Sequence, residues 1–185
     1  MHKFDIRNID KLDNPKRRKV LPPEETLIRF GVEDKVILLD VGCGTGYFTI
    51  PAAGMLKKHK AVGIDIMPEI LEVAKVKAKG INNIEFKKSE EYIFPVADKS
   101  VNYVLISNVI HEVADRIRYL QEAERVKKET GYLLIIDWEK KEMEMGPPLH
   151  ERISREEMKY LCSEAGFEFV EEIDIFNTYY GLKFK

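Results

Sequence analysis

From residue 36 onward, short apolar runs alternate with stretches of helical periodicity. "VILLD" (36–40), "AVGID" (61–65), "VNYVLISN" (101–108) and "GYLLIID" (131–137) are near-continuous apolar runs, the pattern of strands buried on both faces. "IEFKKSE" (84–90) is less apolar and reads as a strand nearer an edge. Three stretches among these runs read as helices: "GYFTIPAAGMLKK" (46–58), "PEILEVAKVKAKG" (68–80) and "ADRIRYLQEAERVKKETG" (114–131). The second of these is opened by Pro68 and closed by Gly80. "LPPEETLIRFG" (21–31) reads as a short helix ahead of the first strand. In "SREEMKYLCSEAG" (154–166), Ser154 and Glu157 have capping-box spacing, and Met158, Leu161, Cys162 and Ala165 share one face, which makes Cys162 a core residue. "FEFVEEIDIF" and "YYGLKFK" close the chain as two strands joined at Asn177–Thr178 and predicted to pair antiparallel.

Strands alternating with helices through short links imply right-handed crossovers and a parallel sheet covered on both faces. The predicted fold is α/β: a doubly wound, mostly parallel seven-stranded sheet with an antiparallel C-terminal hairpin. Residues 1–20 read as a polar arm whose Lys16–Lys19 cluster is a solvated face, and residues 21–185 as one domain. The link from Glu139 to Ile153 is longer than usual and reads as a cap over an acceptor site. Ligands of such sheets bind beyond the carboxyl ends of the strands. Asp40, Asp65, Glu90 with Glu91, Ser107 with Asn108, and Asp137 all stand on that rim.

Gly42, Gly44 and Gly46 occupy the first strand-to-helix turn, where missing side chains let a ligand approach the main chain and a helix start offers free N–H groups. In a G-x-G-x-x-G dinucleotide loop the third glycine would stand where this chain has Tyr47. Asp40, just ahead of the turn, would repel a pyrophosphate and suits an ammonium group. "LDVGCGTG" resembles the first motif of the class I S-adenosylmethionine-dependent methyltransferases, D/E-x-G-x-G-x-G, and the resemblance runs from about residue 20 to the end. It implies a Rossmann-like fold and S-adenosylmethionine as cofactor. The turn around Gly42, Gly44 and Gly46 would cradle the methionine part and Asp40 would face its amino group. By the same resemblance, Asp65 would grip the ribose hydroxyls and Ile66 would lie against adenine. Glu90, standing in "SEEY" where the family often has G-D-A, would accept from the adenine amine, and Asn108 would offer its backbone carbonyl to the ammonium. Cys43 reads as a filler of the loop.

The pattern looks like the ubiquinone and menaquinone methyltransferase branch, with a small organic molecule as acceptor and direct in-line displacement as mechanism. The N/D-P-P-Y of exocyclic-amine methylation is replaced by Asn108-Val109-Ile110-His111, and arsenite enzymes would need more than the two cysteines present. His111 is a candidate base as well as a candidate structural histidine; Trp138, His150 and Arg152 are candidate acceptor contacts. Neither C-x-x-C nor H-E-x-x-H occurs, so no metal is expected. Basic and acidic residues number 30 and 32, which provides no basic footprint for nucleic acid. With no apolar run long enough to span a membrane and no signal-like start, a cytoplasmic protein is expected. The oligomeric state cannot be read from the chain. Two other readings remain at this point: a non-catalytic S-adenosylmethionine-binding sensor or partner subunit, and an NAD-dependent oxidoreductase.

Overall fold

A computed structural model describes residues 12–57, 59–175 and 177–185. Part of the predicted arm (1–11), Lys58 at the end of one predicted helix and Phe176 at the end of one predicted strand lie outside the described residues. Two short helices, α1 (Pro15–Val20) and α2 (Pro23–Arg29), precede β1 (Leu38–Val41), α3 (Thr49–Met55), β2 (Ala61–Asp65), α4 (Pro68–Lys77) and β3 (Ile84–Lys88). Then follow β4 (Val101–Ser107), α5 (Arg116–Val126), β5 (Lys127–Trp138), α6 (Arg155–Glu164), β6 (Phe169–Ile173) and β7 (Tyr179–Phe184). The sheet order is β3-β2-β1-β4-β5-β7-β6, with β1 to β5 parallel and β7 antiparallel to both neighbours. The order reverses beside β1, so a crevice opens between the carboxyl ends of β1 and β4.

Successive strand residues feed opposite layers, because side chains alternate across a sheet. Leu39, Val104 and Leu133 pack with Leu120, Met158 and Cys162 of α5 and α6. Leu38, Leu105 and Leu134 pack with Leu27, Phe30 and Ala52 of α2 and α3. Cys162 is in the core, as its helical face predicts, and β3 is at an edge. Ser154 caps α6, its side chain accepting from the Glu157 N–H at 3.1 Å.

Two expectations need correction. Helix α5 stops at Val126, and residues 127–131, read as helix, open β5 instead. The carbonyls of Arg125 and Val126 are taken by the N–H groups of Lys99 and Ser100, which pulls the chain into register beside β4. Gly131, which looks like a helix stop, lies within the strand: a Cβ there would stand 2.6 Å from the Asn102 carbonyl oxygen. The basic cluster is also not uniformly solvated. Asn14 caps α1, Lys16, Arg18 and Lys19 are exposed, and Arg17 turns inward with its guanidinium 4.0 Å from the Tyr47 ring centroid.

Candidate active site

Strand β1 ends in Asp40 and Val41, and the chain then folds tightly over the end of β2. The N–H groups of Gly42 and Cys43 both donate to the Ile64 carbonyl, at 2.8 and 3.0 Å. Gly42 has φ +69°, and a Cβ there would meet Val109 Cγ2 at 2.4 Å, so no other residue fits without displacing the β4 loop. Asp65, the last residue of β2, points at this turn. Its Oδ2 accepts from the Gly44 N–H at 3.0 Å and its Oδ1 from the Met67 N–H at 2.9 Å. Burial raises the Asp65 pKa; the Met67, Gly44 and Ile66 N–H groups offset part of that rise. Asp40 is buried beneath the turn, accepting from Thr49 Oγ1 at 2.5 Å, and desolvation pushes its pKa from 3.8 up to about 6 against the pull of Thr49 and Arg17.

A cavity of about 1080 Å³ lies over these groups. Its floor is the glycine turn with Asp40 and Asp65; Ile66, Glu90 and Asn108 stand on its walls, and α1 adds Arg17. Asn108 has φ +58°; its N–H donates to the Ile136 carbonyl, and its side-chain Oδ1 is buried with no hydrogen-bond partner. His111, Glu112, Trp138, Tyr179 and Glu151 also line it, with Glu144–Pro148 of the long link after β5. The His111 ring Nδ1 is 2.8 Å from Asp137 Oδ1.

A methyltransferase domain family matches residues 33–177. A solved structure described as an S-adenosylmethionine-dependent methyltransferase from Aquifex aeolicus superposes with a TM-score of 0.93, at 34% identity over 98% of both chains. The chain belongs to the class I S-adenosylmethionine-dependent methyltransferases. A demethylmenaquinone methyltransferase of Staphylococcus haemolyticus is 35% identical over 54% of this chain and 42% of its own length. An arsenite methyltransferase of Halobacterium salinarum is 28% identical over 85% of this chain and 41% of its own. The chain thus spans about half the length of the curated relatives it matches, or less.

The methyltransferase fold brings together most of the residues singled out from the sequence, and sets others apart. Asp40, Gly42, Gly44, Asp65, Ile66, Glu90, Asn108, His111 and Trp138 line one cavity. Gly46 is not among its lining residues; its missing Cβ makes room for Ile50 and Phe86. His150 is also off the cavity wall, with its side chain 81% exposed. Arg152 is buried and turned into its own segment, donating to the carbonyls of Glu139, Lys141, Met145 and Pro147. It ties the 139–153 segment together and does not line the cavity. Tyr47 fills the place of the third dinucleotide-loop glycine, its hydroxyl donating to the Leu21 carbonyl. Arg17 was not singled out, and Asp137, expected on the rim, does not line the cavity but meets His111. The Asn14-Pro15 cap signal would have placed Arg17 on a helix, and pairing of β4 with β5 puts Asp137 beside the turn carrying His111.

Proposed function

We propose that this protein transfers a methyl group from S-adenosylmethionine to a small organic molecule by direct in-line displacement. The observation that carries this reading is the Asp65 carboxylate held against the Gly44 main chain inside the cavity. The residues present suit the cofactor group by group. The buried Asn108 Oδ1 lacks a donor, and the desolvated Asp40, held by Thr49, lacks a full counter-charge; an ammonium would supply both. Arg17 offers a cation to a carboxylate, Asp65 can accept from two ribose hydroxyls, and Ile66 and Glu90 suit the apolar face and the amine of adenine.

The bound cofactor supplies an already activated sulfonium methyl. The chain's own part is alignment and exclusion of water, effects worth roughly 7–11 kcal/mol when geometry is held tightly. The 139–153 segment, tied together by Arg152, serves as the cover of the acceptor end, where Trp138 and Tyr179 form an apolar wall. The cavity size, the small substrates in the names of the relatives and a net charge of −2 support a small acceptor over nucleic acid. Arsenite is disfavoured, because both cysteines are buried and Cys162 is in the core away from Cys43. Among the described residues no helix is long and apolar enough to cross a membrane, and we read the setting as cytoplasmic.

Calorimetry with S-adenosylhomocysteine and with NAD tests the cofactor. S-adenosylhomocysteine binds, and Asp65→Ala weakens it by about 1–3 kcal/mol, the cost of hydroxyls left without a charged acceptor. Binding of NAD alone, or unchanged affinity in the variant, overturns the assignment. Catalysis is tested with a labelled methyl donor and a small-molecule extract. Tight donor binding with no transfer to any component would make the protein a sensor.

A further inference from the structure

Among the described residues, eight carboxylates line the cavity against two lysine or arginine cations, Lys16 and Arg17. The donor's ammonium, ribose and adenine account for Asp40, Asp65 and Glu90, and its carboxylate for Arg17. Lys16 is exposed. Glu112 and Glu151 have no such role. One stands in the turn after β4 and the other in the covering segment, and both act by charge on the His111 ring. Glu112 Oε1 is 3.8 Å from its Nε2. The two side chains are 35% and 34% exposed, so water screens them only in part. The same corner is aromatic. The Asp137 Oδ1 that meets His111 Nδ1 also accepts from the Trp138 N–H, and the Trp138 and Tyr179 ring centroids are 4.5 Å apart. Asp137 is itself 1% exposed, and its Oδ2 is buried with no hydrogen-bond partner. The Arg152 guanidinium is 5.9 Å from the Trp138 ring centroid, but it donates to four carbonyls of its own segment and does not line the cavity.

Resting on the function proposed above, we propose that the acceptor is an amine with an apolar or aromatic body, held as its ammonium between Glu112, Glu151 and the Trp138–Tyr179 corner and methylated on nitrogen. Three features of the corner select it. Carboxylates from two elements attract a cation, and they repel a carboxylate, phosphate or phenolate of the same shape. Aromatic faces attract an ammonium through their negative π clouds, and the attraction grows as water is excluded. Asp137, buried behind His111, adds negative charge to the same side. A neutral hydroxyl gains far less from all three. Met145, Pro147 and Pro148 of the covering segment suit the apolar body. For transfer, the ammonium first gives one proton to solvent. The freed nitrogen pair forms the bond to the methyl carbon, while the pair of the broken carbon–sulfur bond stays on sulfur. The product leaves as a methylammonium, with the same charge as the acceptor that entered.

Three indoles of similar shape and different charge test the corner: tryptamine, tryptophol and indole-3-propionate. Each is titrated calorimetrically, at neutral pH, into protein saturated with S-adenosylhomocysteine. Tryptamine, an ammonium under these conditions, binds about tenfold tighter than tryptophol, and indole-3-propionate binds weakest. The preference shrinks as salt is raised, because both carboxylates are partly exposed. The double variant Glu112→Gln, Glu151→Gln removes it, with tryptophol as the control for an intact site. Equal or tighter binding of the alcohol or the acid, no binding of any of the three at millimolar concentration, or a preference that the variant keeps overturns the proposal. The attacking atom is tested with a labelled donor and a small-molecule extract, untreated or with its amines acetylated and its hydroxyls restored by hydroxylamine. Label taken up from the untreated extract and lost after acetylation supports nitrogen; label that survives acetylation rejects it. Absence of S-adenosylhomocysteine binding would bring down the cofactor reading instead, and absence of label from either extract the catalytic one, so the failures are distinct.

Discussion

Asp40 makes the cofactor end of the cavity sensitive to protons. The residue is 2% exposed, and burial lifts its pKa from 3.8 to about 6. That rise corresponds to ~3 kcal/mol. Because the folded pKa is raised, Asp40's contribution to stability is fully present below pH 3.8 and is lost as pH climbs through about 6. Above that, the unliganded protein carries a buried charge that the unfolded chain would solvate. An ammonium placed beside Asp40 removes the penalty and pulls its pKa down by at least about one unit. At pH 6 the carboxyl is half protonated before binding and about one-tenth protonated after, so S-adenosylhomocysteine displaces about 0.4 proton. Calorimetry at pH 6 in two buffers of different ionisation enthalpy measures this release directly. Adenosine, which lacks the amino-acid tail, releases none through Asp40. Asp40→Asn abolishes the release and stabilises the unliganded protein at pH 8. Equal release in the variant, or proton uptake by the wild type, refutes the reasoning.

The segment over the acceptor end and the glycine turn yield two more tests. Arg152→Ala removes a buried guanidinium bonded to four carbonyls of one segment, so amide exchange at residues 139–148 accelerates by roughly 30-fold or more, equivalent to ~2 kcal/mol. Exchange unchanged there means the segment is ordered by other contacts. Gly42→Ala places a Cβ 2.4 Å from Val109 Cγ2 at a φ of +69° and destabilises the fold by about 1–3 kcal/mol. Adding Val109→Ala relieves the clash but not the backbone strain, so thermal melts recover only part of the loss.

What the sequence reveals and what it withholds separate along physical lines. A near-continuous apolar run places β2 over its full span, because that signal acts within a few residues. The end of α5 is different. No glycine or proline interrupts the chain between Val126 and Gly131, yet Lys99 and Ser100, far away in sequence, capture the last carbonyls and turn the chain into β5. The rim acids could be located because strands of a parallel sheet end on one side. Whether a rim residue faces the cavity depends on side-chain partners that no local pattern encodes. Arg152 illustrates this: a cation in a loop suits a substrate contact, but four inward carbonyls claim it. Arg17 is the reverse case, a member of a charged cluster drawn inward by the Tyr47 ring.

The division of the cavity into two ends has a kinetic consequence. Asp40, Asp65 and Asn108 are assigned to the ammonium and the ribose hydroxyls, groups that do not change as the methyl moves. Interactions of that kind are equal in ground and transition states, so they lower KM without raising kcat. The cost of burying Asp40 is therefore recovered as affinity for the donor, and substitutions at Asp40 or Asp65 raise the donor KM at nearly constant kcat. Rate enhancement comes instead from alignment of the acceptor and exclusion of water beneath the covering segment. Arg152→Ala, which loosens that segment, accordingly lowers kcat and leaves the donor KM nearly in place, so a single kinetic comparison of Asp65→Ala with Arg152→Ala separates donor binding from alignment.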